Sequence, residues 1–375
     1  MRYFISAGEA SGDLHASQLI VSLREQDPAA DFTFLGGDRM AEEAGTSPLL
    51  HYRDMAFMGF SEVLRHLPRI FSNLATARQA LEQKRPDALI LVDYPDFNLK
   101  LARTAAGLGI PVYYYIPPKV WAWKEYRVKD LRRLCRRIFA IFPFEKVFYA
   151  RHSMSDMVEY VGNPSVEEFD GQLGRTMAYE EFRTFHDLTT RPMLALVPGS
   201  RHGEVRNNLP VMAAVARHYR QLQGVVAAAP GIEMEFYRRY TTLPVVRGVT
   251  PDLMVHACAA LVTSGTATLE CALAGTPQVV CYRANGSRLS YTLMKRLLKV
   301  SHVSLPNLIA GRTIIPEMLL HHCNPAEVTA ALDNILDGKP GHDAQLKGYA
   351  DMRARLGESR ASERAAARIV ADLSR

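Results

Sequence analysis

Short runs of β-type apolar residues alternate with helical stretches along this chain, and this alternation constrains the fold more than any other feature. The eight runs cover residues 3–6, 32–35, 88–92, 112–116, 193–197, 225–229, 259–262 and 278–281. Fully apolar runs of this length, separated by helices, are typical of strands buried in parallel sheets. A polar stretch at 162–191 separates the first four runs from the last four. The sequence therefore predicts two doubly wound α/β lobes.

The length of 375 residues also favours two domains. We place an N-terminal lobe at 1–165, a C-terminal lobe at 166–340 and a helical tail at 341–375, which is rich in Ala, Arg and Glu and has no strand pattern. Two similar lobes would form a cleft between them, where loops from the carboxyl ends of both sheets meet a ligand.

Charge and cysteine content narrow the classes of function. A formal net charge of +6 favours anionic partners, but no zinc-finger, RNA-binding or basic-zipper pattern indicates nucleic acid. Five cysteines without CxxC spacing predict neither disulfides nor a zinc site, and hence a reducing, cytoplasmic compartment. We also expect no export signal and no membrane-spanning run, because every long apolar stretch is interrupted.

Two glycines flank a turn directly after the first predicted strand, in the segment GEASGD at 8–13. Such glycines allow a close backbone approach to a ligand. A strand-to-helix turn capped by Ser11 or Asp13 explains the same residues. The segment is neither a Walker loop nor a GxGxxG fingerprint, so its spacing leaves both interpretations open.

Two carboxylates follow the run at 88–92, at the sheet edge where α/β proteins bind ligands. Asp93 comes directly after the run, so we expect it to be held rigidly and partly removed from water. Asp96 follows Pro95 and is placed to cap the next helix. We favour Asp93 as a general base and keep Asp96 as the alternative.

Two loops of the second lobe combine small residues with charged groups. The segment VPGSR at 197–201 offers backbone amides and the Arg201 guanidinium to a diphosphate. The segment TSGTATLE at 263–270 leads from a buried run into a helix, so its amides can hold phosphate oxygens and Glu270 can bind ribose hydroxyls. A turn with a solvated arginine and a carboxylate favoured by the helix dipole are the structural alternatives.

Apolar residues recur at helical spacing between 55 and 74, with Arg65, His66 and Arg69 among them. This pattern predicts a basic amphipathic helix, either packed on the core or in contact with a membrane. The residues that we assign to membrane contact are Phe57, Met58, Phe60, Leu64, Leu67 and Phe71.

Seven segments, taken in order, resemble the lipid A disaccharide synthase family. They are GEASGD at 8, DYPDFN at 93, VWAW at 120, PFEK at 143, PGSR at 198, SGTATLE at 264 and SLPNLIAGR at 304. Single motifs such as PGSR are common turns, but their joint order and spacing cover nearly the whole chain and are specific.

The resemblance implies a GT-B glycosyltransferase of two Rossmann-like lobes, with C-terminal helices packing back on the N-terminal lobe. It implies inverting transfer of 2,3-diacylglucosamine from UDP-2,3-diacylglucosamine to the 6-hydroxyl of 2,3-diacylglucosamine 1-phosphate. The products are then a β-1,6-linked disaccharide 1-phosphate and UDP. No DxD pair or HExxH motif is present, which predicts transfer without a metal or other cofactor.

The resemblance also assigns roles to residues. Asp93 takes the base role, with Asp96 or Glu9 as alternatives. The acceptor-side residues are Glu9, Ser11, Gly12 and Asp13, and the donor-side residues are Arg201, Gly265, Thr266, Glu270 and Asn307. The enzyme would be a peripheral protein on the cytoplasmic face of the inner membrane, and a homodimer stays open.

Three other functions fit parts of the pattern. A UDP-sugar 2-epimerase shares the two-lobed plan but has no need of a membrane-facing segment. A lipid carrier would hold a glycolipid without using Asp93. A nicotinamide dehydrogenase is weaker still, because neither lobe carries the glycine fingerprint.

Overall fold

The computed structural model describes residues 1–55, 67–283, 302–358 and 360–374. The chain divides into two compact units. Unit 1 comprises Met1–Pro164 and Glu358–Arg375, and unit 2 comprises Ser165–Gly357. The predicted lobe boundary adjoins this division.

Seven parallel strands form the sheet of unit 1, in the order β3-β2-β1-β4-β5-β6-β7. The strands are β1 (Arg2–Ala7), β2 (Asp31–Gly36), β3 (Leu50–His51), β4 (Ala88–Val92), β5 (Val112–Tyr115), β6 (Arg137–Ala140) and β7 (Val158–Tyr160). The helices between them are α1 (Ala10–Gln26), α2 (Asp38–Ala44), α3 (Leu67–Lys84), α4 (Pro95–Gly107), α5 (Val128–Leu134) and α6 (Pro143–Ala150). Crossovers leave β1 in one direction and β4 in the other, which puts helices on both faces and explains why every residue of β4 is buried.

Six parallel strands form the sheet of unit 2, in the order β10-β9-β8-β11-β12-β13. The strands are β8 (Met193–Val197), β9 (Gln223–Ala228), β10 (Val245–Arg247), β11 (Ala257–Val262), β12 (Gln278–Tyr282) and β13 (Glu317–Leu319). The helices are α7 (Pro164–Leu173), α8 (Tyr179–Phe185), α9 (His202–His218), α10 (Met234–Arg238), α11 (Thr250–His256), α12 (Thr266–Leu273), α13 (Leu305–Ala310), α14 (Pro325–Asp333) and α15 (Pro340–Leu356). All eight predicted runs overlap strands of the two sheets.

The helical tail does not form a body of its own. Helix α15 belongs to unit 2, where Gln345 bonds both the backbone N–H and the C=O of Gln278 at the start of β12, at 2.9 and 3.0 Å. The last helix, α16 (Ala361–Leu373), packs on α1 in unit 1, and its buried Asp372 pairs with Arg137. The expected return to the N-terminal lobe therefore holds for α16, whereas α15 is retained by the polar contacts of Gln345.

Candidate active site

The strand order of unit 1 reverses between β1 and β4, because the chain leaves β1 toward β2 on one side while β4 pairs with its other side. Loops at the carboxyl ends of two such strands form the ligand crevice of open parallel sheets. These loops begin at Gly8 and Asp93. They are in contact, since a Cβ atom on Gly8 would lie 2.3 Å from the Tyr94 ring. The fold thus brings the two motif loops of unit 1 together.

Asp93 lies partly buried at the end of β4. Its φ is +47° and that of Tyr94 is +46°, so two consecutive residues adopt the left-handed conformation. Burial raises the pKa of the Asp93 carboxyl above its usual value, and the Lys119 charge and the Tyr94 backbone amide offset part of this shift. A carboxyl group with a raised pKa in a crevice has the properties of a general base.

Asp96 has a different environment. It is exposed in the first turn of α4 and forms ion pairs with Arg127 and with Lys124, whose Nζ lies 3.9 Å from Oδ2. These two cations occupy its carboxylate oxygens. The two carboxyl groups therefore differ: Asp93 is partly buried, whereas Asp96 is exposed and ion-paired.

Three predicted acceptor residues surround the start of α1. Glu9 is the N-cap residue of α1. Its negative charge lies near Tyr94, where burial, as the larger cause, and the Glu9 charge together raise the pKa of the tyrosine to about 12. Ser11 is exposed. Gly12 is buried, and a Cβ there would lie 3.3 Å from the Ala7 Cβ, so this glycine lets α1 pack closely on β1. Glu9 and Ser11 stay candidates for ligand contact.

Asp13, the fourth predicted acceptor residue, has a structural role instead. Its carboxylate is buried and accepts hydrogen bonds from the backbone N–H groups of Gly37 at 2.6 Å, Arg39 at 3.2 Å and Met40 at 3.3 Å. These amides belong to the first turn of α2, which has no intrahelical acceptor for them. Asp13 therefore caps α2.

The strand order of unit 2 reverses between β8 and β11, so the loops after these strands form a second crevice. Gly199 and Gly265 occupy them with φ values of +122° and +147°, which favour glycine. Helices α9 and α12 begin directly after these loops, and Gly265 and Thr266 are exposed at the start of α12. Helix N-termini carry free amides and positive partial charge, so this edge suits an anion.

Arg201 is a cation at the start of α9, beside this second crevice. Its side chain is 70% exposed, and its Nη1 lies 3.6 Å from Oε1 of Glu204 in the next helical turn. The other oxygen of Glu204 accepts the backbone N–H of Ser200 at 3.0 Å, so Glu204 fixes the loop. The weak pair leaves the Arg201 guanidinium able to bind a diphosphate bidentately.

Glu270 lies in α12, partly buried. Burial and the charge of Glu168 raise the pKa of Glu270 to about 7. Its position one helical turn from Gly265 and Thr266 fits the predicted contact with ribose hydroxyls.

Asn307 was predicted on the donor side, but the structure commits it to the backbone. It is fully buried, and its Oδ1 accepts the N–H groups of Ile314 at 2.7 Å and Ile315 at 3.0 Å. Its Nδ2 donates to the Ile315 carbonyl at 2.9 Å and to Glu317 at 2.8 Å. Asn307 therefore shapes the turn before β13.

Asn208 on α9 is a site residue that the sequence did not reveal. It is fully buried, and its Nδ2 donates to the Pro198 carbonyl at 3.2 Å and to Thr263 Oγ1 at 3.0 Å. Its Oδ1 accepts the N–H of Arg283 at 2.8 Å. Asn208 thus ties together the ends of β8, β11 and β12, and no sequence pattern marks it.

A pocket of about 410 Å³ opens beside this crevice, at the carboxyl ends of β9 and β10. Pockets of roughly 300–1,000 Å³ hold small ligands. The lining residues are Gln172, Arg175, Ala228, Pro230, Gly248, Thr250, Pro251 and Asp252.

All five cysteines are free thiols, and burial raises the pKa of Cys135 to about 12. A thiol with such a pKa stays protonated and is a poor metal ligand at neutral pH. The described part of the chain contains no cluster of three or more His, Cys, Asp or Glu side chains placed to hold a metal ion.

The predicted membrane segment is described only in part. Phe57, Met58, Phe60 and Leu64 lie outside the described residues, and Leu67 begins α3. Phe71 is 59% exposed on α3, with the Lys100 Nζ 5.7 Å from its ring centre. None of the helices in the described ranges is long and apolar enough to cross a membrane.

Two parallel α/β units, each with a crevice at the reversal of its strand order, have the architecture of the GT-B fold class. Solved structures of this class match over the full chain. A UDP-GlcNAc 2-epimerase from Neisseria meningitidis has a TM-score of 0.65 at 14% identity, covering 100% of both chains. The calicheamicin glycosyltransferase has a TM-score of 0.59 at 16% identity, covering 100% of this chain and 99% of that one. At these identities the likeness concerns the fold alone.

Within this class, sequence similarity identifies the family. The family model described as lipid-A-disaccharide synthetase matches residues 3–370. A lipid-A-disaccharide synthase from Myxococcus xanthus is 40% identical over 98% of this chain and 97% of its own length. Another lipid-A-disaccharide synthase, from Syntrophus aciditrophicus, is 37% identical over 96% of this chain and 95% of its own length. The chain belongs to the lipid-A-disaccharide synthetase family, which confirms the resemblance and the predicted fold.

Proposed function

We propose that this family member transfers 2,3-diacylglucosamine from UDP-2,3-diacylglucosamine to the 6-hydroxyl of 2,3-diacylglucosamine 1-phosphate. The observation that carries the proposal is the presence of two crevices, one in each unit, in a chain of this family. One crevice holds a partly buried carboxyl group, and the other holds an arginine at the N-terminus of α9, with the N-terminus of α12 following the neighbouring strand β11. A base and a diphosphate site are the two things that the reaction requires.

Asp93 would act on the acceptor. The 6-hydroxyl oxygen attacks the anomeric carbon of the donor sugar, and Asp93 takes the hydroxyl proton as the new C–O bond forms. The bond from the anomeric carbon to the diphosphate breaks, and its electron pair leaves with UDP. Attack opposite to the leaving group inverts the anomeric carbon and gives the β-1,6 linkage. The raised pKa makes Asp93 a stronger proton acceptor than an ordinary aspartate.

Unit 2 would bind the donor. Arg201 and the amides near Gly265 and Thr266 neutralise the charge that develops on the diphosphate. Glu270 accepts hydrogen bonds from the ribose, and the pocket beside β9 and β10 has room for the uracil base. Because positive groups of the protein neutralise the charge on the diphosphate, we propose that transfer needs no divalent metal.

The proposal predicts EDTA-resistant, acceptor-dependent formation of the disaccharide phosphate and UDP. Purified protein is incubated with both substrates in EDTA, and both products are followed by mass spectrometry. The control reaction contains the acceptor without its fatty acyl chains. UDP-sugar turnover without the acceptor would indicate an epimerase, and substrate binding without any product would indicate a lipid carrier. Either result would overturn the proposed function.

We also propose that unit 1 contacts the cytoplasmic surface of the inner membrane. Besides Phe71, unit 1 exposes Trp123 and Tyr126, with Lys124 Nζ 4.4 Å from the Trp123 ring centre. Amphipathic aromatic rings beside lysine are typical of the headgroup region of a bilayer. Acylated substrates also require an enzyme that reaches this region.

Phe71→Ser is expected to weaken binding to vesicles of equimolar phosphatidylglycerol and phosphatidylcholine by roughly five- to thirty-fold, because it removes apolar area from the contact. Vesicle sedimentation measures the effect. The matched control is Phe185→Ser, which removes a 73% exposed phenylalanine from unit 2. Equal losses in the two variants would contradict a contact through unit 1.

A further inference from the structure

The main chain at Asp93 is strained. Asp93 and Tyr94 both have positive φ values, which L-residues with a Cβ atom rarely adopt. Such a conformation is energetically unfavourable and persists only where the surrounding structure enforces it. Something at the end of β4 must therefore hold this conformation.

Asn98, one turn into α4, supplies most of the restraint. It is fully buried, and its Nδ2 donates to the carbonyl of Asp93 at 2.7 Å, with further contacts to the carbonyls of Val92 and Ser6 at 3.3 Å each. Its Oδ1 accepts the hydroxyl of Ser6 at 2.7 Å. One amide side chain thus ties the end of β4 to β1 across the crevice.

Tyr114 on β5 supplies a second restraint. Its hydroxyl donates to the carbonyl of Asp93 at 2.7 Å, and its ring is fully buried. Burial raises the pKa of Tyr114 well above its usual value, so the hydroxyl keeps its proton and remains a donor. The Asp93 carbonyl therefore accepts two hydrogen bonds from side chains on two different elements.

The other unit also holds a buried asparagine at its crevice. Asn208 is fully buried on the helix that follows β8, and it ties the ends of β8, β11 and β12. Its helix follows the earlier strand of the reversal, whereas the helix of Asn98 follows the later one. Both units thus join strand ends through a buried amide, although from different positions.

We propose that Asn98 and Tyr114 are positioning residues, which hold the Asp93 main chain in its left-handed conformation and so set the direction of its carboxylate toward the acceptor hydroxyl. This inference rests on the proposed base role of Asp93. Neither side chain needs to touch the substrate, because both act through the Asp93 carbonyl.

Three variants test the inference. Tyr114→Phe removes one hydrogen bond and is expected to lower kcat roughly two- to ten-fold. Asn98→Ala and the isosteric Asn98→Asp remove the amide donor and are expected to lower kcat roughly ten- to a hundred-fold, the effect of a misplaced catalytic group. The KM values of both substrates should change by less than about two-fold. The matched control is Tyr113→Phe, since the buried Tyr113 hydroxyl has no hydrogen-bond partner within the described residues.

A merely structural role would reduce the number of active sites without changing each one. We therefore count sites by calorimetric titration with UDP and express kcat per binding site. The acidic limb of the pH–rate profile should also move in Asn98→Ala, because the Asp93 carboxylate changes its distance from Lys119, whose charge lowers the Asp93 pKa. If Asn98→Ala does not fold, kcat per site and the pH–rate profile of Tyr114→Phe test the positioning role.

Wild-type kcat per site and an unchanged pH profile in Tyr114→Phe and the Asn98 variants, together with an inactive Asp93→Asn, would overturn the positioning role while leaving the proposed function intact. An active Asp93→Asn would instead remove the base on which the inference rests.

Discussion

Asp93→Asn is expected to lower kcat by about a hundred- to ten-thousand-fold, which is the usual contribution of a general base. The amide cannot take the proton of the acceptor hydroxyl, but it has nearly the shape of the carboxylate. UDP affinity should therefore stay unchanged, because Asp93 lies in unit 1 and the proposed diphosphate site lies in unit 2. Initial rates at saturating substrate, together with calorimetric UDP binding, measure both quantities.

The same substitution should stabilise the protein at high pH. Burial raises the folded-state pKa of Asp93 above the ordinary value of 3.8, so the folded protein binds this proton more tightly than the unfolded chain. Ionising Asp93 in the folded protein therefore lowers the free energy of unfolding. This loss is absent below the ordinary pKa and grows as the pH rises through the folded-state pKa. Asp93→Asn should therefore unfold at a higher temperature than wild type at pH 8, with a smaller difference near pH 4.

Two further substitutions locate the base if Asp93→Asn stays active. Asp96→Asn removes a carboxylate that pairs with Arg127 and Lys124, and Glu9→Gln removes the N-cap carboxylate of α1. We expect each to cost far less activity than Asp93→Asn. A hundred-fold loss in one of them, with little loss in Asp93→Asn, would transfer the base role to that residue.

All inner strands except β6 were predictable, because they are buried and read as short apolar runs. The strands without such runs were not predicted: β3, β6, β7, β10 and β13. Four of these, β3, β7, β10 and β13, lie at sheet edges, and all five are between two and four residues long. A segment so short makes too few contacts to need a distinctive sequence, and its position depends on the strand beside it.

The positions of the crevice loops were predictable, but the roles of individual polar residues were not. Asp13 and Asn307 stand in motifs that resemble ligand loops, yet both bind backbone amides. The sequence of a motif is the same whether its carboxylate or amide binds a ligand or hydrogen-bonds to a neighbouring turn. Asn98 and Asn208 lie at the crevices, but their roles could not be predicted. Their hydrogen bonds join strand ends that are distant in sequence, so no local motif marks them.

Arg201→Ala is expected to lower kcat/KM by about a hundred- to a thousand-fold, comparable to the loss of one preorganised charge-stabilising donor. The guanidinium is exposed and only weakly paired with Glu204, so it can bind the diphosphate at little cost. Part of the loss should appear as weaker UDP binding, and the rest as lower kcat, since charge on UDP grows as the bond breaks. Arg201→Lys keeps the charge but loses the planar fork, and should recover the activity only in part.

Arg217→Ala is the matched control, because Arg217 is exposed in the last turn of the same helix, α9, about 24 Å from its start. It should leave kcat/KM unchanged, although it alters the net charge equally. Measuring both variants at low and high salt separates a general charge effect from a specific contact, because salt screens long-range charge effects more strongly than a close contact. Wild-type UDP affinity and rate in Arg201→Ala would mean that the amides of α9 and α12 suffice to hold the diphosphate, and that the arginine belongs only to the turn.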